Sequence, residues 1–371
     1  MPARLSYLDW NATAPVRPEA AAAVARALTL GGNPSSVHRA GRAARRLVEA
    51  ARAEVAALVG AQAEDVVFTS GGTEANTLAL QAFPDRRLLI SAIEHDSVMA
   101  NAPQAVRIPA TRDGRADLAA LERLLVADRR PALVSLMFAN NETGAVQPVA
   151  DGARLAHAHG ALFHCDAIQG AGRQPIDIRR LGCDLLTLSA HKLGGPMGVG
   201  ALIVASGLDI VPLIHGGGQE RGRRAGTENL PGIAGFGAAA LAAVAGLAAW
   251  PNVAALREQA ESRLLAITPD AVIHAAAATR LPNTICISMP GVPAATQVMA
   301  LDLAGVMVSA GAACSSGKVR RSHVLDAMGV REREAECAIR VSLGWNTTAT
   351  EIDHLVEAWG ALYARTRASA A

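Results

Sequence analysis

Short apolar runs punctuated by turn residues alternate with longer amphipathic stretches through the first two thirds of the chain. The runs are "DVVFTS", "RLLISA", "AVRIPA", "PALVSLMFA", "ALFHCDA", "DLLTLSA" and "GALIVAS". Those near 66–70, 132–138, 161–165 and 184–188 show no polar alternation, which is the pattern of strands buried on both faces of a parallel sheet. Between the runs, "GTEANTLALQAF" and "GARLAHAHG" read as helices, so the alternation predicts an α/β sheet with helices on both sides. "GRAARRLVEAARAEVAALVG" (41–60) predicts an amphipathic helix. Leu47, Val48, Val55, Leu58 and Val59 mark its inner stripe, with arginines paired to Glu49 and Glu54 on the wet face. That charge run reads as a solvated surface rather than a binding patch.

After Trp250 the pattern changes. "NTICISMPG" and "IRVSLG" read as strands of a second sheet, and "TTATEIDHLVEAWGALYARTR" as a final helix. Thr348 and Glu351 have capping-box spacing, and Ile352, Leu355, Val356 and Trp359 share one apolar face. A small C-terminal domain is expected. From Asn229 to Leu256 no residue is charged, a run long enough for a membrane span. It is mostly alanine and glycine without a flanking basic cluster, so a buried helix linking two domains is the expectation, with no membrane partner.

The chain has 371 residues, 51% of them hydrophobic, enough for a large core in two domains or one domain with an appendage. A net charge of +2 and a pI near 8.4 argue against direct nucleic-acid binding, as do aromatics at 3%. Five cysteines, at 165, 183, 286, 314 and 337, form no CxxC pair. No metal cluster or disulfide framework is expected, and a reducing cytoplasm fits best. The N-terminus "MPARLSYLDWNATAP" lacks the apolar core of a signal peptide.

Candidate chemistry gathers at strand ends. "VFTSGGTEANTLAL" places Gly71, Gly72 and Thr73 between a strand and a helix, where free backbone N–H groups and the helix dipole favour a phosphate; glycine turns also open helices with no ligand. "LFHCDAIQG" puts Asp166 just beyond a strand, where a carboxylate can also cap the next helix. "SAHKLGGPMGVG" adds Ser189, His191 and Lys192, and "SAIEHDSV" adds His95. Ligands of open α/β sheets bind beyond the carboxyl ends of the strands. A phosphate cradle, a strand-end Asp and a partly desolvated Lys together fit pyridoxal phosphate, which needs a lysine for its Schiff base and an anion for its ring nitrogen.

The motifs "YLDWNATAP", "GNPSSVHRAGR", "FTSGGTEANTLAL", "EHDSV", "NNETGAVQP", "HCDAIQ", "SAHKLGGPMGVG", "HGGGQERGRRAGTEN", "SAGAACSSG" and "IRVSLG" occur in an order that resembles the class V aminotransferase-fold enzymes. Within these, they resemble the cysteine desulfurases of the NifS/IscS type, essentially end to end. The resemblance implies the fold of the pyridoxal-phosphate-dependent transferases (aspartate aminotransferase-like). Residues 16–250 form the large domain, with a mostly parallel seven-stranded sheet. Residues 1–15 and 251–371 form a smaller α+β domain carrying the catalytic-cysteine loop.

The resemblance also implies roles. Lys192 carries the Schiff base, Asp166 pairs with the pyridinium nitrogen, Gln169 hydrogen-bonds the phenolic oxygen, and His95 stacks on the ring and assists proton transfer. Gly72, Thr73, Ser189 and His191 hold the phosphate, completed by Thr227 from the other subunit of a homodimer. Asn141 and Arg340 bind substrate, Arg340 by a bidentate grip on the carboxylate. Cys314, in "VMVSAGAACSSGKVRRSHVL", sits in a small, polar, glycine-flanked segment that reads as a loop. Such a loop can carry a thiol to the cofactor and then outward, with activation by His95 or nearby basic residues. The other four cysteines read as apolar packing in strands or helices.

The implied reaction takes sulfur from L-cysteine, releases alanine and leaves a persulfide on Cys314 for an acceptor protein in iron–sulfur cluster assembly or tRNA thiolation. Selenocysteine lyase or another class V lyase or aminotransferase is the alternative, with Cys314 as the discriminator. Departures from the family pattern are Ile168 and Gly170 in "DAIQG", basic "GKVRRSHVL" in place of an acidic stretch, and a chain that ends soon after its last helix, where longer relatives extend a scaffold-docking tail.

Overall fold

A computed structural model describes residues 4–310, 312–313 and 319–370. All seven apolar runs become strands of one sheet: β1 (Val66–Thr69), β2 (Arg87–Ser91), β3 (Val106–Ile108), β4 (Ala132–Met137), β5 (Leu162–Asp166), β6 (Leu185–Ser189) and β7 (Gly200–Val204). Their spatial order is β1-β7-β6-β5-β4-β2-β3. The sheet is parallel from β6 through β3, while β7 runs antiparallel to both its neighbours. The lack of polar alternation has a direct cause. Successive residues of β6 enter different cores, Leu186 and Leu188 packing with Val55, Phe163 and Phe236, and Leu185 with Leu78, Leu133 and Leu202.

Helices α1 (Pro18–Leu28), α2 (Arg39–Leu58), α3 (Gly72–Gln81) and α4 (Leu230–Ala245) cover this sheet, α4 lying against both α1 and α2. The uncharged stretch becomes α4, a 3₁₀ turn at Gly246–Ala249, and α5 (Trp250–Ile267). Among the described residues this is the one helical stretch long and apolar enough to cross a membrane, and half of its most apolar window is buried. Small residues allow that burial: a Cβ on Gly237 would lie 2.7 Å from the Ala51 backbone of α2.

The second sheet holds β8 (Val272–Ile273), β9 (Thr284–Ser288), β10 (Ser309–Ala310) and β11 (Ala338–Ser342), in antiparallel order β10-β11-β9-β8. Its core gathers Leu8, Leu264, Ile285, Ile287, Val341 and Trp359. The N-terminus belongs to this half, Ser6–Tyr7 pairing with Val306–Met307 and Asp9 bridging to Ser342. The final helix, α6 (Ala349–Ala370), starts at the expected box: Glu351 N–H donates to Thr348 Oγ1 at 3.3 Å, and Thr348 N–H to Glu351 Oε2 at 2.9 Å.

Helix α2 departs from expectation in its charges. Arg52 does pair with Glu49 but is buried, and its guanidinium grips Glu220 at 2.7 and 2.8 Å. Glu54 is half-buried against Gly237, with burial raising its pKa. Leu47 is only partly buried. Apolar spacing cannot report that a distant loop supplies a carboxylate to one arginine of the polar face. Cys165, Cys183, Cys286 and Cys337 are buried as expected, although Cys183 and Cys337 lie just before strands rather than within strands or helices.

Candidate active site

The carboxyl ends of β1, β4, β5 and β6 open onto a cleft of about 390 Å³, closed on its other side by Ser309 and Arg340 of the small sheet. At the sheet end it gathers Gly72, Thr73, Asp166, Gln169, Ser189, His191 and Lys192. His95, Asn141 and Arg340 also line it. Thr227 lies outside, exposed beside a separate recess with Ser70 and Gly198. Cys314 lies outside the described residues; the chain on either side of it pairs Ala312 with Arg320 and Ala313 with Val319.

Asp166 is the last residue of β5, not one beyond it. It is 6% exposed; its Oδ2 accepts from Asn76 Nδ2 at 2.7 Å and its Oδ1 from Ile168 N–H at 3.0 Å. Burial raises its pKa, while these donors and the charges of His95 and Lys192 pull it back down. Asn76 follows Gly72 by one turn of α3, so the helix that opens the cleft also delivers the amide. The same Nδ2 donates to Ser97 Oγ at 2.9 Å, and that hydroxyl meets His95 Nδ1 at 2.8 Å. Ser97 N–H also donates to His95 Nδ1, at 3.1 Å. With Nδ1 accepting, a neutral ring carries its proton on Nε2. Burial lowers the His95 pKa.

Lys192 ends the 3₁₀ turn that follows β6, and its amine donates to the Asn11 and Ala12 carbonyls at 2.5 and 2.7 Å. Burial, then the charges of Arg340 and Arg173, lower its pKa to about 7. An amine so poised is substantially neutral, and therefore nucleophilic, at ordinary pH. His191 touches Thr13 Oγ1 at 3.2 Å and has its pKa lowered to about 4 by burial. Arg340 pairs with Asp9 at 2.7 Å and donates to the Asn141 carbonyl at 3.2 Å. Its Nε is buried without a hydrogen-bond partner among the described residues, a donor left for an incoming carboxylate.

These groups fit pyridoxal phosphate. The buried Asp166 carboxylate has no cation at ion-pair distance among the described residues, leaving a place for a protonated ring nitrogen. The first N–H groups of α3 have no intrahelical acceptor. Gly72 keeps that turn close to the sheet, since a Cβ there would meet Ile168 Cδ1 at 2.3 Å.

Sequence reasoning passed over Asp9, Asn11, Asn76, Ser97, Glu142 and His323, which the fold brings to the site or its wall. Asn11 is a hub. Its carbonyl accepts from Lys192 and Gln169, and its side chain bonds the Asn141 carbonyl, Thr284 and Asn283. The only signal was a polar triplet in "DWNAT", which no spacing rule links to a lysine at 192.

The family model described as aminotransferase class-V matches residues 6–355. The chain is 48% identical over 366 residues to a cysteine desulfurase of Cereibacter sphaeroides, covering 95% of this chain and 94% of that protein. It is 37% identical over 366 residues to a cysteine desulfurase IscS of Dictyoglomus turgidum, covering 95% and 92%. Among solved structures, a NifS-like protein from Rickettsia africae superposes with a TM-score of 0.91 at 38% identity, covering 97% of this chain and 99% of that one. SspA in complex with cysteine gives 0.78 at 29% identity, covering 91% and 98%.

Proposed function

This chain belongs to the class V aminotransferase family, and we propose that it is a cysteine desulfurase that uses pyridoxal 5'-phosphate. The observation that carries the reading is one cleft holding a near-neutral lysine amine, a buried strand-end carboxylate and an arginine with a spare donor. The bound cofactor supplies an electron sink that stabilises negative charge at the substrate Cα and makes its Cβ–S bond breakable. Lys192 would hold the cofactor covalently and, once released, would carry the Cα proton. Asp166 keeps the ring nitrogen protonated, Gln169 orients the phenolic oxygen, and Gly72, Thr73, Ser189 and His191 bind the phosphate. Asn141 and Arg340 would grip the substrate carboxylate, and His95, neutral with a proton on Nε2, would hold the cofactor from the wall of the cleft and relay a proton to the substrate.

The Cys314 thiolate attacks the substrate sulfur. An S–S bond forms as the Cβ–S bond breaks; Cβ keeps the electron pair, takes a proton and leaves as alanine. The persulfide on Cys314 then passes to an acceptor protein for iron–sulfur cluster assembly or tRNA thiolation. In this reading residues 16–250 bind the cofactor, residues 1–15 and 251–371 carry the thiol, and the enzyme works as a cytoplasmic homodimer in which Thr227 reaches the partner's phosphate site. The thiol separates this reading from an aminotransferase. Cys314→Ser is expected to keep the visible absorbance of the bound cofactor and to form no alanine from cysteine; alanine at the wild-type rate contradicts the assignment.

A further inference from the structure

Behind the cleft lies a positive charge with no counter-ion among the described residues. Arg173 is 4% exposed, and among the described residues its guanidinium hydrogen-bonds carbonyl oxygens alone. Nη1 donates to the Gln169 backbone oxygen at 2.8 Å and to Gln169 Oε1, and Nη2 reaches the Trp10 oxygen at 3.4 Å. The other buried arginines among the described residues differ: Arg52 holds Glu220, Arg257 holds Glu258 and Arg340 holds Asp9. A buried ion without a partner is strongly disfavoured, and a guanidinium does not escape by losing its proton. A charge kept there at such cost suits an anion that arrives from the cleft.

Gln169 connects the two. Its Oε1 accepts from Arg173, so its Nε2 is the donor, and one N–H goes to the Asn11 carbonyl at 3.0 Å. The second N–H is left for a ligand in the cleft that Gln169 lines.

We propose that Arg173 is a positioning residue that fixes the Gln169 amide with one N–H free and supplies the positive field favouring an anionic ligand oxygen beside it, the phenolate of the pyridoxal ring. The inference rests on the reading of the cleft as a pyridoxal-phosphate site. The charged and titratable groups acting on the neighbouring amine are Arg340, Arg173, Asp9 and Asp166, with His95 and His191 also within its reach. Arg340 has the larger effect on the amine and is offset in part by its pairing with Asp9 at 2.7 Å, whereas Arg173 acts with no carboxylate paired to it among the described residues. The depressed basicity of Lys192 has the sign that this field requires.

The test is a pH titration of the cofactor's visible band in the holoenzyme, comparing wild type with Arg173→Lys and Arg173→Met. A positive field disfavours protonation of the lysine–cofactor linkage, so the methionine variant is expected to titrate about one pH unit or more higher, with the lysine variant near wild type. An unmoved midpoint in the methionine variant, or equal shifts in both, overturns the proposal. The wild-type apoprotein gives a reading that needs no variant. The acylation rate of Lys192 should have its midpoint near 7, and a midpoint near the ordinary 10.5 overturns the field. A wild-type protein that develops no visible band with added cofactor fails the underlying reading instead, and the proposal falls with it.

Discussion

Ser97, two residues after His95, decides which nitrogen of that imidazole carries a proton. Ser97 donates to Nδ1 through both its hydroxyl and its backbone, and each donation stabilises the neutral ring. Ser97→Ala therefore raises the His95 midpoint toward 6.5, and NMR titration of the apoprotein should show it; a midpoint that falls or stays in place contradicts the relay. Lys192 offers a second residue-scale test. Its folded pKa of about 7 lies below the ordinary 10.5, so below pH 7 both states bind the proton and the folded state bears the full cost of the buried charge. Between 7 and 10.5 the unfolded chain binds more protons, and stability rises with pH. The stability of apo Lys192→Met relative to wild type should thus be greatest at or below pH 7 and decline until pH 10.5, as followed by urea unfolding. A pH-independent difference would mean that the amine is not perturbed.

At the scale of elements, the family departure "DAIQG" has a packing explanation. Ile168 fills the space that a side chain at position 72 would need, its Cδ1 standing 2.3 Å from where that Cβ would be. Gly170 leaves room for the Phe138 ring, whose Cδ1 stands 2.2 Å from the corresponding Cβ. Gly72→Ala should strain the opening of α3 by about 1–3 kcal/mol and weaken cofactor binding roughly tenfold or more. Adding Ile168→Val should recover most of that loss, as a fluorescence titration with pyridoxal phosphate would show. A double variant no better than the single one refutes the complementarity. The strands and their shared sheet were legible because buried parallel strands leave unbroken apolar runs, and the Thr348–Glu351 box was legible because capping is local. The antiparallel direction of β7 left no mark in "GALIVAS", since an apolar run reads the same either way. Neither did the partner of Arg52, which comes from residue 220.

Across the whole molecule, the N-terminal segment joins the two halves. Leu8 packs in the small core, Asp9 holds Arg340, Trp10 meets Trp345 edge-on at 4.6 Å, and Asn11 holds Lys192 and Gln169. The cleft is therefore assembled from residues more than 300 positions apart. Motif reading could place Lys192, Asp166 and Arg340 in one site by resemblance. It could not see Asn11 and Asn76, whose roles rest on hydrogen bonds to residues distant in the sequence, nor Arg173, which ties Gln169 to the Trp10 carbonyl.

The chain contains only two lysines, Lys192 and Lys318, which makes the most direct test unusually clean. Holoenzyme reconstituted with pyridoxal phosphate is reduced with borohydride, digested and mapped by mass spectrometry. The reduced pyridoxyl adduct is expected on the peptide containing Lys192, with the Lys318 peptide unmodified. An adduct confined to Lys318 or the N-terminal amine, or none at all, would contradict it.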